Sequence, residues 1–409
     1  MLFNNYNFMI TKINFDYFKS DLLSGITAAV VALPLGLAFG VSSGLGALAG
    51  LYGAIFVGFF ASLFGGTPKQ ISGPTGPMTV IVALIFIEFN FKIEIVFLCI
   101  SLAGLMQIIF GLLKLGNLIK KIPKSVISGF MTGIGLIIIS LQVPIILGLG
   151  PQSTIIQSLM KLGEINNINY ESLIIGSLCF FILFFSPSKI FKNIPISIIV
   201  LLFGTLLSIM FFTKQDTIGF IPKGLPNFNL YIPDLLMMPK ILFYSLLLSL
   251  LGIIDSLLTS VISDQLTGEN HKPNKESIGQ GIGNFVSGLF GGLAGAGATM
   301  RTVVNIKAGG KTSLSGMIHA ITLLIIVLYA SPLAEAIPLS VLAAILIKVG
   351  IDIIDWNFIK NYKTKSFNSI TTKLLVVILT VFTNLIGAVL IGTIYNLLIK
   401  FYLKKIKKE

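Results

Sequence analysis

The chain has 409 residues, of which 55% are hydrophobic and 11% are charged, and its mean hydropathy is +0.95. Soluble domains carry about 25% charged residues, so the composition excludes an ordinary soluble enzyme and indicates an integral membrane protein. The formal net charge of +13 could suggest a nucleic-acid partner. The basic residues lie in short clusters between apolar runs, however, without the interleaved aromatic residues of nucleic-acid modules. We expect no nucleic-acid partner.

The N-terminal residues lack the short apolar region and small-residue cleavage site of a signal peptide, so they predict a cytosolic lead-in. Lysines cluster at 114–124, 189–193, 360–365 and 400–409. With fourteen crossings these clusters fall on one side of the membrane, in agreement with the positive-inside rule. The sequence therefore predicts a multi-pass protein of the cell inner (plasma) membrane, in contact with the lipid bilayer, with both termini in the cytoplasm.

Apolar runs predict fourteen transmembrane segments, since about 20 mostly apolar residues are needed to cross the hydrocarbon core. The predicted spans lie near residues 21–40, 46–65, 74–89, 93–113, 125–147, 172–187, 194–212, 241–263, 276–292, 298–308, 313–331, 338–351, 371–388 and 389–403. The third and the tenth are short and follow the strings SGPTGP and GAGAT. Short, interrupted segments at matching places in two halves point to a transporter site built from broken helices.

The second half of the chain resembles the first. The string IPKSVISGFMTGIGLII (122–138) matches IPLSVLAAILIKVGIDII (337–354), with Gly135 opposite Gly350, and SLFGGTPKQISGPTG (62–76) resembles GLFGGLAGAGATM (288–300). Each half then holds seven spans, and an odd number of crossings inverts the second copy. The sequence predicts an all-α membrane protein with a 7+7 inverted repeat.

Small residues recur at every fourth position in two spans. They are Gly46, Gly50, Ala54, Gly58, Ser62 and Gly66 in the second span, and Gly279, Gly283, Ser287 and Gly291 in the ninth. Such ridges let helix backbones approach closely in a membrane. The strings GQGIG and GAGAG lack the complete pattern and the preceding strand of a phosphate loop, so packing explains them better.

Asp255 lies deep in the eighth predicted span, with no other charge between Lys240 and Asp264. A carboxylate in mid-bilayer costs a few kcal/mol, so it should face a cavity or a partner. Thr259, four residues later, lies on the same face of the helix. A functional site is the favoured interpretation, and a structural carboxylate that holds two helices together is the alternative.

The third and tenth spans each start beside a threonine, Thr75 before Gly76 in one and Thr299 after Gly297 and Ala298 in the other. The first turn of a helix has free backbone N–H groups and a partial positive charge. If the repeat brings the two N-termini face to face, they form a cradle for an anion. Helix packing is the alternative explanation for a Gly-Ala stretch of this kind.

Arg301, two residues into the tenth span, is the only arginine of the chain. A planar, always charged guanidinium suits bidentate contact with a carboxylate or a trigonal oxyanion. We therefore predict that Arg301 belongs to the anion site. An ion pair with Asp255 and a side chain that reaches the lipid interface are the alternatives.

Neither a metal centre nor an enzyme active site is expected. His271 lies in a polar loop, His319 near the start of a span, and Cys99 and Cys179 inside apolar runs, so no set of ligands stands at metal spacing. The spans also lack a nucleophile–base pair. Apart from a coupling ion, we expect no cofactor.

The chain resembles the sulfate permease (SulP) family of anion transporters over nearly its whole length. The resemblance rests on SDLLSGITAAVVALPLGLAFG, GLYGAIFVGFFASLFGGTPKQISGPTGPMTV, IDSLLTSVISD and GAGATMRTVVNIKAGG. It implies one membrane transport domain (1–409) with a core domain, about 20–121 and 240–331, and a gate domain, about 122–215 and 332–403. These bodies move against each other in elevator-like alternating access, with the substrate between the third and tenth half-helices.

The resemblance also implies where the ligands bind. The predicted substrate contacts are Phe39, Pro74, Thr75, Gly76, Ala298, Thr299 and Arg301. The residues that match the sodium site of bicarbonate-transporting members are Asp255, Thr259, Gly297 and Thr299. Bicarbonate is the substrate expected first, with Na⁺ as a candidate coupling ion.

Three features bear on this interpretation. Leu35 follows Pro34, where many sulfate-carrying members have glutamine, and this favours bicarbonate. Arg301 matches the wider family, whereas the bicarbonate type has glycine there, so its charge could stand in for Na⁺ and sodium coupling stays open. The family usually carries a C-terminal STAS domain that supports dimers, and the chain stops a few residues after the last predicted span. We expect no STAS domain, and a homodimer stays open.

Other functions compete with bicarbonate transport. The first is transport or exchange of sulfate or another anion without sodium. A nucleobase permease of the same architecture is next. Such permeases bind base edges with acidic residues in the eighth and tenth spans, and the arginine in the tenth span of this chain argues against that function. An anion channel or a sensor without transport would keep the same fold. An intramembrane enzyme is the weakest candidate.

Overall fold

The computed structural model describes residues 15–116, 123–152, 154–164, 167–185, 196–212, 214–219, 228, 231–364, 366–382 and 385–406. Most of the predicted cytosolic lead-in and the lysine cluster at 189–193 lie outside these residues. Those two predictions are therefore not addressed by the fold.

The described residues form a helical protein with one two-stranded ladder. The helices are α1 (Phe18–Ser42), α2 (Ala47–Phe64), α3 (Gly76–Glu88), α4 (Ile93–Leu112), α5 (Lys124–Ile146), α6 (Ile155–Lys161), α7 (Tyr170–Phe185), α8 (Ile196–Phe211), α9 (Met238–Thr267), α10 (Pro273–Leu289), α11 (Thr299–Lys307), α12 (Leu314–Glu335), α13 (Leu339–Ile353), α14 (Trp356–Lys360), α15 (Phe367–Phe382) and α16 (Leu385–Ile406). The strands are β1 (Ser72–Gly73) and β2 (Ala296–Gly297).

Each of the fourteen predicted spans coincides with one helix, and α6 and α14 are additional short helices between spans. The third and tenth spans are short, as predicted, because α3 has 13 residues and α11 has 9. Among the described residues, five helices are long and apolar enough to cross a membrane, and six shorter helices are also apolar. The chain is a multi-pass membrane protein.

Packing sorts the helices into two groups. In the first, α10 packs between α2 and α4, α12 packs on α1 and α2, and α9 packs on α4. In the second, α5 packs against α13 and α15, and α7 packs against α13 and α8. The groups meet mainly where α1 contacts α13 and α3 contacts α5. Helices of the first group fall in the predicted core segments and those of the second in the gate segments; their relative motion stays a prediction.

Small residues bring the helices of the first group together, as the ridges predicted. A Cβ atom added to Gly50 would lie 1.9 Å from the carbonyl oxygen of Gly36, so α1 and α2 touch through their backbones. A Cβ added to Gly283 would lie 2.9 Å from the Cα of Val57. Only glycine permits such approaches, and they hold α2 close to α1 and α10.

Gly104→Ala is expected to destabilise the protein, because its Cβ would lie 2.3 Å from the backbone nitrogen of Phe285 where α4 crosses α10. Overpacking of this kind costs about 1–3 kcal/mol, and a thermal unfolding scan of the detergent-solubilised protein should show a lower Tm. Gly163→Ala is the matched control, since that glycine is exposed and its nearest neighbour would be 3.2 Å away. Equal Tm values for the two variants would contradict the close crossing.

The two repeat-related helices α5 and α13 also cross through glycine. A Cβ on Gly135 would lie 2.5 Å from the carbonyl oxygen of Gly350, and one on Gly350 would lie 2.9 Å from that of Gly135. The two glycines matched in the sequence are therefore direct neighbours in space. This reciprocal contact agrees with the predicted inverted repeat.

Candidate functional site

The breaks that precede α3 and α11 pair with each other. Strands β1 and β2 are antiparallel, with Ser72 opposite Gly297 and Gly73 opposite Ala296, and the Ala298 N–H donates to the carbonyl of Ile71 at 2.8 Å. Two chain segments more than 220 residues apart in sequence are thereby joined at the points where their helices begin. The two breaks are thus adjacent in the structure, and the face-to-face placement of the helix N-termini stays a prediction.

Neither helix start is capped by a side chain. Thr75 is the N-cap residue of α3 and Ala298 that of α11, and neither makes a side-chain cap hydrogen bond. Both residues are buried, so the free N–H groups of the first turns lie inside the protein. Two uncapped N-termini that approach each other create a locally positive environment suited to an anion.

The predicted cation ligands and Thr75 form two groups of oxygen atoms, around Asp255 and around Thr259, four residues apart on α9. Asp255 accepts a hydrogen bond from Thr75 Oγ1 at 2.7 Å. Thr259 Oγ1 donates to the carbonyl of Gly297 at 2.9 Å and lies 2.8 Å from Thr299 Oγ1. Carboxylate, hydroxyl and carbonyl oxygens are the donor types that a hard cation such as Na⁺ prefers. The set therefore has suitable chemistry for that ion.

Arg301 turns into the protein rather than to lipid. Its side chain is 1% exposed, and Nη2 donates to the carbonyl of Pro74, the residue before Thr75. Nη1 has no hydrogen-bond partner among the described residues. A Cβ on Gly73 would lie 2.7 Å from Nη1, so β1 needs glycine at this position.

The ion pairs of the described residues do not include one between Arg301 and Asp255, although the two charges interact at longer range. The structure therefore contradicts both alternative predictions for Arg301, the direct ion pair with Asp255 and the side chain that reaches the lipid interface. Arg301 instead links α11 to the break before α3. Whether it also touches an anion stays a prediction.

A cavity of about 230 Å³ lies between the two helix groups, beside the start of α3. Its lining includes Phe39 and Gly76 of the predicted substrate contacts, and it adds the polar residues Ser42 and Thr79. The remaining five predicted contacts (Pro74, Thr75, Ala298, Thr299 and Arg301) are not among its lining residues. The cavity therefore reaches one of the two helix starts.

The wall opposite Gly76 belongs to the second helix group. A Cβ on Gly76 would lie 2.7 Å from Cδ1 of Ile138 on α5 and 3.1 Å from Cδ1 of Ile353 on α13. The start of α3 is thus in direct van der Waals contact with both repeat-related helices. A side chain at position 76 would require the ends of these two isoleucine side chains to shift.

Sequence reasoning missed a buried polar network behind the strands. Gln70, Glu276 and Gln280 are all buried and hydrogen bonded to one another through the Glu276 carboxylate. The available signal was the four-residue spacing of Glu276 and Gln280, which places both on one face of α10. The string GQGIG (279–283) contains Gln280, and its interpretation as a packing motif alone left the polar network unrecognised.

Comparison with known proteins agrees with this architecture. The sequence profile of the Sulfate permease family matches residues 18–396. The Bicarbonate transporter BicA of Synechocystis sp. is 47% identical over 390 residues, which cover 93% of this chain and 69% of that protein. The solved transmembrane domain of a cyanobacterium bicarbonate transporter BicA superposes with a TM-score of 0.85 at 47% identity, over 93% of this chain and 99% of that one.

A more distant structure shares the fold alone. The murine Solute Carrier 26 family member A9 anion transporter in the inward-facing state gives a TM-score of 0.85 at 20% identity, over 96% of this chain and 69% of that one. The helical architecture described above is therefore common to proteins with widely different sequences.

Proposed function

This chain belongs to the sulfate permease family, and from that premise we propose that it is a secondary active transporter of a small inorganic anion, bicarbonate first. The observation that carries the proposal is the pairing of β1 with β2, which joins two uncapped helix N-termini inside the membrane domain. The relatedness to a protein named a bicarbonate transporter supports bicarbonate as the anion. Sulfate is the alternative that the family name suggests.

The helix starts supply most of what an anion needs. The backbone N–H groups of the first turns would donate to its oxygens, and the two helix ends contribute roughly +0.5 charge each. Phe39 and Gly76 line the adjoining cavity, so the anion has an apolar wall on one side. Because Thr75 donates its hydroxyl hydrogen to Asp255, its oxygen could only accept the O–H of bicarbonate, and the other contacts at this helix start would come from backbone N–H groups.

Alternating access would use the two helix groups as the moving bodies. The first group holds both broken helices, and the second presents Ile138 and Ile353 to the start of α3. Inside the first group α1 and α2 touch through their backbones at Gly36 and Gly50, so relative movement of the two groups is a less costly rearrangement than movement within the first. We expect the site to travel with the first group, as in an elevator.

Sodium coupling is part of the proposal through the oxygen set of Asp255, Thr259, Gly297 and Thr299. Na⁺ would be a co-transported substrate held by these atoms, and its charge would favour an anion at the nearby helix starts. The alternative is transport without sodium, in which the positive charge of Arg301 takes that role. The helices supply suitable ligands for the first case and a buried guanidinium for the second.

The cellular setting is also proposed. We infer a location in the inner (plasma) membrane with both termini in the cytoplasm, because the lysine clusters follow the positive-inside rule. A homodimer is open, and sedimentation of the solubilised protein would decide it.

Uptake by proteoliposomes tests the function. We expect the purified protein to accumulate labelled bicarbonate saturably, faster than labelled sulfate, and to respond to an inward sodium gradient. Uptake of sulfate but not of bicarbonate would contradict the preferred anion, and identical rates with and without the gradient would contradict coupling. Currents that do not saturate with anion concentration would indicate a channel instead.

A further inference from the structure

We propose that Glu276 is a positioning residue for the substrate site, an inference that rests on the proposed function and adds a residue to it. Glu276 lies in the first turn of α10 and is 1% exposed. It does not line the cavity beside α3. It acts on the two strands through side chains that it holds in place.

Hydrogen-bond donors surround the Glu276 carboxylate. The Gly66 N–H donates to Oε2 at 2.8 Å, and the side-chain amides of Gln70 and Gln280 donate to Oε1 at 2.8 Å each. Thr67 adds a further hydrogen bond. These donors favour the ionised form of the carboxylate, whereas its burial disfavours that form.

Lys275 interacts electrostatically with Glu276, but the hydrogen bonds that hold the carboxylate come from neutral groups. A buried carboxylate held by neutral donors alone is costly to the fold. Intramembrane ionisable residues of this kind are candidates for functional roles. The hydrogen bonds around Glu276 extend to both strands, which suits a role in positioning them.

Two routes lead from the carboxylate to the broken helices. Gln280 Nε2 donates to Ser72 Oγ on β1 at 2.6 Å. The Gln70 amide packs against β2, because a Cβ on Gly297 would lie 2.4 Å from Gln70 Nε2. Ser260 of α9 donates to Gln70 Oε1 at 3.0 Å, which fixes the orientation of that amide.

Both strands and α9 are thus placed by groups that Glu276 orients. The carbonyl of Gly297 accepts from Thr259, and Gln70 packs against the same strand residue. If the network loosens, the helix starts and the oxygen set lose their relative positions even though every ligand is still present. Preorganisation of this kind changes affinity more than it changes the fold.

Glu276→Gln is the main test. It preserves size but turns one acceptor oxygen into an NH₂ group, which then faces the Gly66 N–H or the two glutamine amides. We expect the half-saturating bicarbonate concentration to rise about tenfold, equivalent to about 1.4 kcal/mol, with the maximal rate and the Tm little changed. The half-saturating sodium concentration should rise with it where uptake depends on sodium.

Glu269→Gln is the matched control, because Glu269 is half exposed and pairs with Lys69 at 2.6 Å at the edge of the same helix group. It should leave both half-saturating concentrations at the wild-type values. A folded Glu276→Gln protein that also keeps the wild-type values would overturn the proposal.

Ser72→Ala separates the positioning of β1 from the charge of Glu276. It removes only the hydroxyl that accepts the hydrogen bond from Gln280 and leaves the carboxylate in place. We expect about a threefold rise in half-saturating bicarbonate, as for loss of one neutral hydrogen bond. If Glu276→Gln does not fold, wild-type half-saturation in Ser72→Ala overturns the proposal.

If the wild-type chain transports neither bicarbonate nor sulfate, the proposed function fails instead. Backbone amide hydrogen exchange at residues 66–76 and 295–299 then still tests whether Glu276 positions the two strands. Glu276→Gln must accelerate this exchange, and Glu269→Gln must leave it unchanged.

Discussion

Asp255→Asn is expected to lower the initial rate of bicarbonate uptake about 100-fold, corresponding to about 2.7 kcal/mol. The carboxylate accepts the hydroxyl of Thr75 at 2.7 Å, and hydrogen bonds to charged groups contribute about 1.5–3 kcal/mol. Its charge also balances the buried Arg301 at longer range. The measurement is uptake of labelled bicarbonate per amount of folded protein in proteoliposomes.

Asp264→Asn provides the control for this variant. Asp264 lies on the same helix, α9, but pairs with His271 at 2.6 Å and is partly exposed. It should reduce uptake by no more than a few fold. Equal rates for Asp255→Asn and wild type would show that Asp255 only joins helices, which is the structural alternative that its sequence position left open.

Substitution of Arg301 is expected to have the second large effect, and two variants separate its charge from its shape. Arg301→Gly removes a fully buried side chain and leaves the Pro74 carbonyl without its donor. We expect a lower Tm and stronger dependence of uptake on sodium, because the positive charge would then have to come from the ion. Arg301→Lys keeps the charge but not the planar fork, and should reduce anion affinity about tenfold, or about 1.4 kcal/mol.

Lys307→Gly is the matched control for loss of a positive charge on α11, because Lys307 is exposed at the end of that helix. Its sodium dependence should equal that of the wild type. If Arg301→Gly and Arg301→Lys both retained wild-type affinity and sodium dependence, the idea that the guanidinium substitutes for a cation would be wrong.

The helical architecture was predictable because crossing a bilayer imposes a length and an apolar composition on each segment. The two short helices were predictable as well, since the Gly- and Pro-rich strings before Gly76 and Thr299 interrupt otherwise apolar runs. The adjacency of the breaks before them agrees with the repeat. The helices α6 and α14 were missed, because seven and five residues carry too little periodicity to be recognised.

The direction of side chains was harder to predict. Sequence spacing places Arg301 near the start of α11, but only the pairing of β1 with β2 brings the Pro74 carbonyl within its reach. The role of Glu276 was hidden for a similar reason. The spacing of Glu276 and Gln280 relates two members of its network, but Gln70 lies 206 residues away from Glu276 and no local pattern connects it to them.

The contact of Gly76 with Ile138 and Ile353 has a consequence for the transport cycle. The two isoleucines occupy equivalent places in the two repeats, at the same distance from their I-P-x-S-V strings, yet both close on the first residue of α3. Inverted repeats that exchange their conformations generate a second arrangement of the same contacts. The Gly-x-Thr strings of the two halves make Met300 the counterpart of Gly76, so we expect the exchanged arrangement to bring the isoleucine pair to Met300. In the proposed alternating access, the isoleucine pair would then form an apolar barrier beside each helix start in turn.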